Sequence, residues 1–317
     1  MHRLCYGDQP AQRCKKEQAP MKRLKSLLYS QKLAPYVFIA PFGIVFLVFF
    51  LYPIISTVIM SFQSVVPGQT HFIGLDNYRK MWNSSFITAL KNSAIYMVCT
   101  CAILIPVPML LAAILNSRKM IAKGFFRSAL FLPALICVVV AGITFRLIFG
   151  ELPGSLMNTF LNLFGVKPIK WLAGPIPWTT MFALVILCCW RWMGVNTMYY
   201  LSALQSISED LYESADLDGA NAWQKFRHIS VPLVRPTTIY VLTISIYGGL
   251  AMFVESRMLF ANTEAGNQAL TIVGYLYRVG IRKMNYGLGS AIGIVLLILT
   301  LLINITQLTL TGFFRKE

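Results

Sequence analysis

Charge is scarce in this chain, and what there is leans one way. Asp, Glu, Lys and Arg make up 13% of the 317 residues, with 12 acids against 28 bases, about half the charged share of a soluble domain. Together with 56% hydrophobic residues and a mean hydropathy of +0.63, this excludes a soluble globular protein and implies a polytopic membrane protein. Histidine is almost missing: His2, His71 and His228 are the three present, so a His-Glu-x-x-His zinc helix is excluded. No Gly-x-x-x-x-Gly-Lys-Ser/Thr run and no Gly-x-Ser-x-Gly elbow occurs, which removes the P-loop nucleotide cradle and the hydrolase nucleophile. Of seven cysteines, Cys99, Cys101, Cys137, Cys188 and Cys189 sit in apolar runs and read as small buried hydrophobes. Cys5 and Cys14 have His2 alone beside them, too few ligands for zinc. No catalytic residue, metal site or bound cofactor is expected.

The bases follow the membrane. Lys and Arg stand beside apolar runs and form no stripe on a soluble surface, so nucleic acid is not an expected partner. Residues 1–33 carry Arg3, Arg13, Lys15, Lys16, Lys22, Arg23, Lys25 and Lys32 against Asp8 and Glu17 and read as a basic, disordered cytoplasmic tail. Met21-Lys22-Arg23-Leu24-Lys25 offers a second translation start. The run from Leu33 to Ser61 is too long for a cleaved signal and ends in no small-x-small site. Six segments reach the ~20 apolar residues that a crossing helix needs: Ala34 to Phe62, Ala89 to Leu115, Ser128 to Phe149, Thr179 to Leu204, Thr237 to Phe260 and Tyr286 to Leu310. They predict an all-α integral membrane protein with one transmembrane domain over 34–317. With the tail inside, seventeen bases fall in inner segments and seven in outer loops, which puts both termini and the segment 205–235 on the cytoplasmic face.

That segment holds eight charged residues (Glu209, Asp210, Glu213, Asp216, Asp218, Lys225, Arg227 and Arg235), too many for hydrocarbon. Ser208 with Glu209 and Asp210 behind it reads as an N-cap followed by acids in the positive first turn. Gly219 ends that helix. Asn221 and Gln224 form a capping-box pair opening a second short helix through Trp223 and Phe226, which Pro232 and Pro236 are expected to stop. The reading is a helix-turn-helix between spans four and five.

Glu213-Ser214-Ala215, then Gly219, then Ile229-Ser230-Val231-Pro232 closely resembles the EAA loop of ABC importer permeases. Ser214 stands for a small Ala, Val231 for Leu, and Ser208 where sugar permeases often carry Pro. Phe72-Ile73-Gly74-Leu75-Asp76-Asn77-Tyr78 is similar to the entry after the first span of carbohydrate-type permeases, and Phe126-Arg127 with Leu132-Pro133 to their third-span entry. Ile105-Pro106-Val107-Pro108, Phe145-Arg146-Leu147-Ile148-Phe149-Gly150-Glu151, Trp190-Arg191-Trp192-Met193-Gly194 and the run from Tyr240 to Ile246 look most like permeases of arabinose and arabino-oligosaccharide importers. The resemblance runs from about Leu33 to the carboxyl end. It implies a permease subunit of the bacterial inner membrane that pairs with a second, homologous permease, an ABC ATPase dimer using ATP and Mg, and an extracytoplasmic solute-binding protein. It further implies an arabinose-containing oligosaccharide as cargo, with another oligosaccharide or a glycerol-phosphate-like solute as the alternative. Glu213, Ser214, Ala215, Asp218, Gly219, Phe226, Ile229 and Pro232 then carry the contact with the ATPase.

Within the membrane, Arg191 near the middle of the fourth span is the costliest residue, about 2.5–3.5 kcal/mol if left unpaired in a helix centre. Glu255 is a partner for it or for Arg257. Trp192, Asn196 and Tyr199 share a helix face by the four-then-three rule, whereas Trp190 does not. These aromatic faces and donors suit a sugar, so Arg191, Trp192, Asn196, Tyr199 and Glu255 are the candidate substrate path. An ion-coupled transporter working alone would want carboxylates in mid-membrane, and Glu255 lies near a span end. Gly289 and Gly293 form a small-xxx-small spacing for close packing of the last span.

Overall fold

The computed structural model describes residues 34–117, 120–172, 177–260 and 269–313. The basic tail with Met21, Cys5 and Cys14, and the bases Arg118, Lys119, Arg315 and Lys316, lie outside the described residues. The chain divides into two units, Met1–Ile59 and Met60–Glu317.

In the first unit, α1 (Ala34–Phe46) passes through a π turn, Leu47–Leu51, into α2 (Tyr52–Ser61), which runs on into the second unit. The π turn has an evident cause. Pro53 has no N–H for the Phe49 carbonyl and its ring crowds that carbonyl, so the turn before it widens and the Tyr52 N–H bonds Leu47 O, five residues back.

The second unit opens with a feature that the reading of an all-helical chain did not anticipate, an antiparallel hairpin of β1 (Gln63–Val66) and β2 (Gln69–Phe72), with Gln63 opposite Phe72 and Val66 opposite Gln69. The two connecting residues are Pro67 and Gly68, and Gly68 takes φ +82°, the left-handed conformation that a Pro-Gly turn requires. Asn77 of α3 (Asp76–Met81) ties the hairpin to the next helix. Its buried Nδ2 donates to Ser61 O at 2.9 Å and to Gln63 O at 2.8 Å, and the Tyr78 and Ser61 hydroxyls share a 2.8 Å hydrogen bond.

Among the described residues, four helices are long and apolar enough to cross a membrane: Pro35–Ser61, Ser84–Asn116, Trp178–Gln205 and Tyr286–Leu310. Two more pairs qualify only if counted together across a bend: Lys123–Leu135 with Val138–Ile148 at 96°, and Ala222–Leu233 with Arg235–Leu250 at 69°. The last span has the expected bounds. The third does not: α6 (Lys123–Leu135) and α7 (Val138–Ile148) are separate helices, because Ile136 and Cys137 take ψ near +130°, outside the helical range. The fifth is also interrupted, since α13 (Arg235–Leu250) ends after the weak pair Gly248-Gly249, and α14 (Val254–Phe260) begins anew. Glu255 therefore belongs to a short separate helix.

The second span shows how the membrane's demand for paired backbone groups is met. It consists of α4 (Ser84–Leu104) and α5 (Pro106–Asn116) joined at Ile105. Pro108 cannot donate to the Leu104 carbonyl, and Asn196 Nδ2 takes its place at 3.2 Å. A neighbouring side chain thus satisfies the group that proline freed. Asn196 comes from α9 (Pro177–Gln205), the central column, which packs against α4, α5 and α6. Two apolar clusters flank it, Leu184 and Leu187 with Phe149, Tyr96 and Leu259, and Tyr200 and Leu201 with Met109, Ala112 and Val241; a third, Met81 and Phe86 with Ile272 and Ile292, includes no residue of α9. The last helix, α16 (Tyr286–Leu310), packs on a π segment, Tyr277–Arg282, where Gly289 approaches Gly280 so closely that a Cβ would come within 2.7 Å of its Cα.

The tightest seam is between α9 and α6. A Cβ on Gly194 would stand 1.8 Å from the Leu130 carbonyl oxygen, and backbone cannot move aside as a flexible side chain can. Gly194→Ala is expected to separate the two helices at a cost of at least about 1–3 kcal/mol, read as a lowered thermal midpoint and reduced membrane yield, whereas Gly124→Ala, with open space at its Cβ, should change neither.

Candidate functional site

The segment after α9 folds as a braced pair of short helices. The first is α10 (Glu209–Leu217), where the Ser208 hydroxyl accepts from Asp210 N at 3.3 Å and two acids occupy the first turn. Its end is a Schellman closure: Gly219 at φ +75° lets its own N–H reach Asp216 O at 3.1 Å and lets Ala220 N reach Ala215 O at 2.9 Å. Asn221 and Gln224 then exchange bonds, Asn221 N donating to Gln224 Oε1 at 2.8 Å and Gln224 N to Asn221 Oδ1 at 2.9 Å, which opens α11 (Ala222–Lys225). Two links hold the pair together. The Tyr212 and Ser230 hydroxyls lie 2.9 Å apart, and Lys225 Nζ meets Asp216 Oδ1 at 2.6 Å.

The expected stop at Pro232 does not occur. The helix widens into a second π turn, Phe226–Ser230, in which the Val231 N–H bonds Phe226 O, and α12 (Val231–Leu233) carries Pro232 on before the chain bends at Val234. Pro236 occupies the first turn of α13, where no donor is needed, and so starts that helix. Pro232 repeats the remedy seen at Pro53, a π turn that relieves the clash without ending the helix.

Of the eight residues expected to meet an ATPase, Glu213, Ser214, Asp218, Gly219 and Pro232 are exposed, while Ala215, Phe226 and Ile229 are half-buried. Phe226 packs against the apolar cluster around Tyr200 and lies 5.5 Å from the Trp223 ring. The Ser214 hydroxyl donates to Asp210 O at 2.8 Å, within its own helix. Beside these residues stand exposed apolar side chains, Leu217 (91%) and Trp223 (61%) above all, with Leu211 and Leu233 less so.

The substrate-path candidates separate into two groups. Arg191 and Glu255 form an ion pair, Nη1 to Oε1 at 3.0 Å, with side chains 14% and 18% exposed. The alternative partner, Arg257, instead lies over the Tyr277 ring at 4.3 Å and near Phe253 at 5.8 Å. Arg191 also stands 6.0 Å from the Trp192 ring centre, and among the described residues its buried Nε has no partner. Trp192 and Tyr199 are exposed, and Tyr199 meets Tyr240 edge to face at 5.3 Å. Asn196, on the same helix face, is buried with its amide on Leu104 O. Trp190 turns to Phe145, 5.2 Å away.

Residue patterns passed over several organising side chains. Asn158 is fully buried and accepts from Trp171 Nε1 at 2.9 Å and Ile169 N at 3.1 Å while donating to Ile169 O at 3.1 Å and Leu152 O at 3.2 Å. No local pattern marks it, because every partner is six or more residues away. Asn196 is named for the substrate path from its helix face alone; the signal for its bond to Leu104 O is Pro106-Val107-Pro108, which frees carbonyls that some donor must meet.

This arrangement, a long central helix delivering a capped, charged helix pair, is that of a transport permease, and residues 92–316 match the family described as the binding-protein-dependent transport system inner membrane component. The chain belongs to that family of ABC sugar-importer permeases, and is an integral inner-membrane protein. It is 52% identical over 293 residues to the arabinooligosaccharides transport system permease protein AraP of Bacillus subtilis, covering 92% of this chain and 93% of that one. It is 47% identical to the AraP of Halalkalibacterium halodurans, covering 93% and 92%. The lactose transport system permease protein LacF of Rhizobium radiobacter is 31% identical, with 86% and 92% covered. Among solved structures, a bacterial ABC transporter involved in import of the acidic polysaccharide alginate superposes with a TM-score of 0.80 at 26% identity, over 93% of this chain and all of that chain. A bacterial alginate ABC transporter in complex with an alginate pentasaccharide-bound periplasmic protein gives 0.79 at 25%, over 90% and 96%.

Breaking one partner of a pair as enclosed as Arg191–Glu255 strands a charge and typically costs about 3–5 kcal/mol, while replacing both can be neutral. Glu255→Ala and Arg191→Ala are each expected to lower the thermal midpoint and yield of the assembled protein, and Arg191→Met with Glu255→Met to recover most of the loss. A double-mutant cycle in detergent or lipid measures it; strictly additive losses would show that the two charges do not depend on each other.

Proposed function

We propose that the chain is one of the two permease subunits of an ATP-driven bacterial importer of arabinose-containing oligosaccharides. The observation that carries this reading is the near full-length match, at 52% and 47% identity, to two permeases named for arabinooligosaccharides. The pair α6 and α7 counts as one span and α13 with α14 as another, giving six crossings with both termini and the helix pair 205–235 in the cytoplasm, as the distribution of bases favours.

The chain brings no nucleotide-binding sequence, so a separate ATPase dimer hydrolyses ATP with Mg and acts through the helix pair. Glu213, Asp218 and the apolar Leu217 and Trp223 offer such a partner charge for recognition and apolar surface for a seat. The Schellman closure and the Tyr212–Ser230 link keep the two helices from shearing, so a push on α10 reaches α9 and α13 as a rigid-body motion. A binding protein delivers the saccharide from outside, and a second homologous permease completes the path; the alginate transporter solved with its loaded periplasmic protein supports that arrangement. Another neutral oligosaccharide is the alternative cargo, in view of the relative named for lactose.

Uptake by proteoliposomes holding the whole importer tests the cargo: arabinan fragments are expected to be accumulated and maltodextrins of equal length to be at least tenfold poorer, and the reverse order would overturn the assignment. Coupling is tested at Gly219. A Cβ there meets nothing within 4 Å, so the strain of φ +75° is the whole penalty. Gly219→Val should leave the protein in the membrane but abolish both uptake and binding-protein-stimulated ATP hydrolysis; normal uptake would sink the coupling role.

A further inference from the structure

Where α9 ends and α13 begins, Tyr199, Ser202 and Ser206 face Leu233, Thr237 and Tyr240 across a cavity of about 560 Å³, a size proper to small-molecule sites. The two tyrosine rings meet edge to face at 5.3 Å, and 38% of Tyr199 and 50% of Tyr240 remain exposed. Each ring therefore keeps an apolar face and a polar rim open to a ligand. Ser202 and Thr237 add aliphatic hydroxyls able both to give and to accept hydrogen bonds, and the Ser206 hydroxyl, which donates to Ala203 O at 2.7 Å, can still accept. Among the described residues, none that lines the cavity is charged. An anionic ligand would find no opposite charge there, whereas a neutral ring bearing many hydroxyls and apolar C–H faces meets both the hydroxyls and the tyrosine faces.

Tyr199 lies seven residues beyond Trp192, which is about 10 Å along a helix. The cavity is thus a place apart from the ion pair and Trp192, on the side toward the 205–235 segment, and Leu233 and Pro236 on its wall stand on either side of the bend at Val234. We propose that this cavity is a second saccharide subsite, occupied by a neutral oligosaccharide after it leaves the interior of the spans and before it reaches the cytoplasm. The inference rests on the reading of the chain as a sugar-importer permease. It also gives this chain a preference for neutral over uronate cargo, although the superposed solved transporter serves an acidic polysaccharide.

Two experiments on the whole importer in proteoliposomes decide it. In the first, Ser202→Cys is labelled with a membrane-permeant maleimide, and mass spectrometry reads position 202 separately from the native cysteines. Arabinotriose on the inner side should slow labelling at least fivefold and trigalacturonate should not; a thiol unaffected by arabinotriose, or one that does not react even without sugar, overturns the subsite. In the second, Ser202→Trp fills the cavity and is expected to cut arabinotriose uptake at least tenfold while binding-protein-stimulated ATP hydrolysis stays within about twofold. Uptake within twofold of the parent overturns the proposal, and so does a parallel fall in hydrolysis, which would mean a disturbed helix pair. Failure of the parent importer to take up arabinotriose would instead count against the arabino-oligosaccharide reading, while protection at position 202 is measured without any transport.

Discussion

Every backbone carbonyl in the hydrocarbon region needs a donor, and this chain places prolines where they remove donors. Much of its architecture consists of the replies. Before Pro53, and again outside the hydrocarbon before Pro232, the ladder lengthens by one residue into a π turn. At Pro108 the Asn196 amide crosses from the central helix to the stranded Leu104 carbonyl. Pro133 is carried inside its helix, which ends at Leu135 before the chain turns by 96°. Widening and outside rescue are two replies open to a helix in lipid, and both occur here.

The same constraint decides what the central helix can offer a ligand. Its polar side chains are largely committed: Asn196 to the second span, Thr197 to Met193 O, Arg191 to Glu255. Trp192 and Tyr199 are left with open faces, on either side of Asn196. Trp192 and Tyr199 are thus held by groups whose work is structural, so the position of a bound sugar and the integrity of the span depend on the same few residues.

Local chemistry was readable in advance where its range is short. The Ser208 cap, the Gly219 ending and the Asn221–Gln224 box involve partners two to five residues apart, and the last span is an unbroken apolar run with the bounds that hydropathy assigns it. The expectation that Pro232 stops a helix failed because proline's effect depends on whether the preceding turn can widen, which composition does not encode. The hairpin at 63–72 was hidden because its stabilising partner, Asn77, lies beyond it in sequence. Glu255 was readable as a partner for Arg191 or Arg257, but only the break after Leu250 decides which, by swinging α14 toward α9.

The seam between Gly194 and Leu130 is made of backbone on both sides. A contact without side chains has no rotamers to exchange, so it cannot loosen by degrees: it is closed or it is lost. Deformation is then concentrated where helices are already interrupted, at 136–137, at Val234 and at 251–253. In mechanical terms, the chain is a set of stiff plates welded where glycine meets backbone and hinged at the breaks between them.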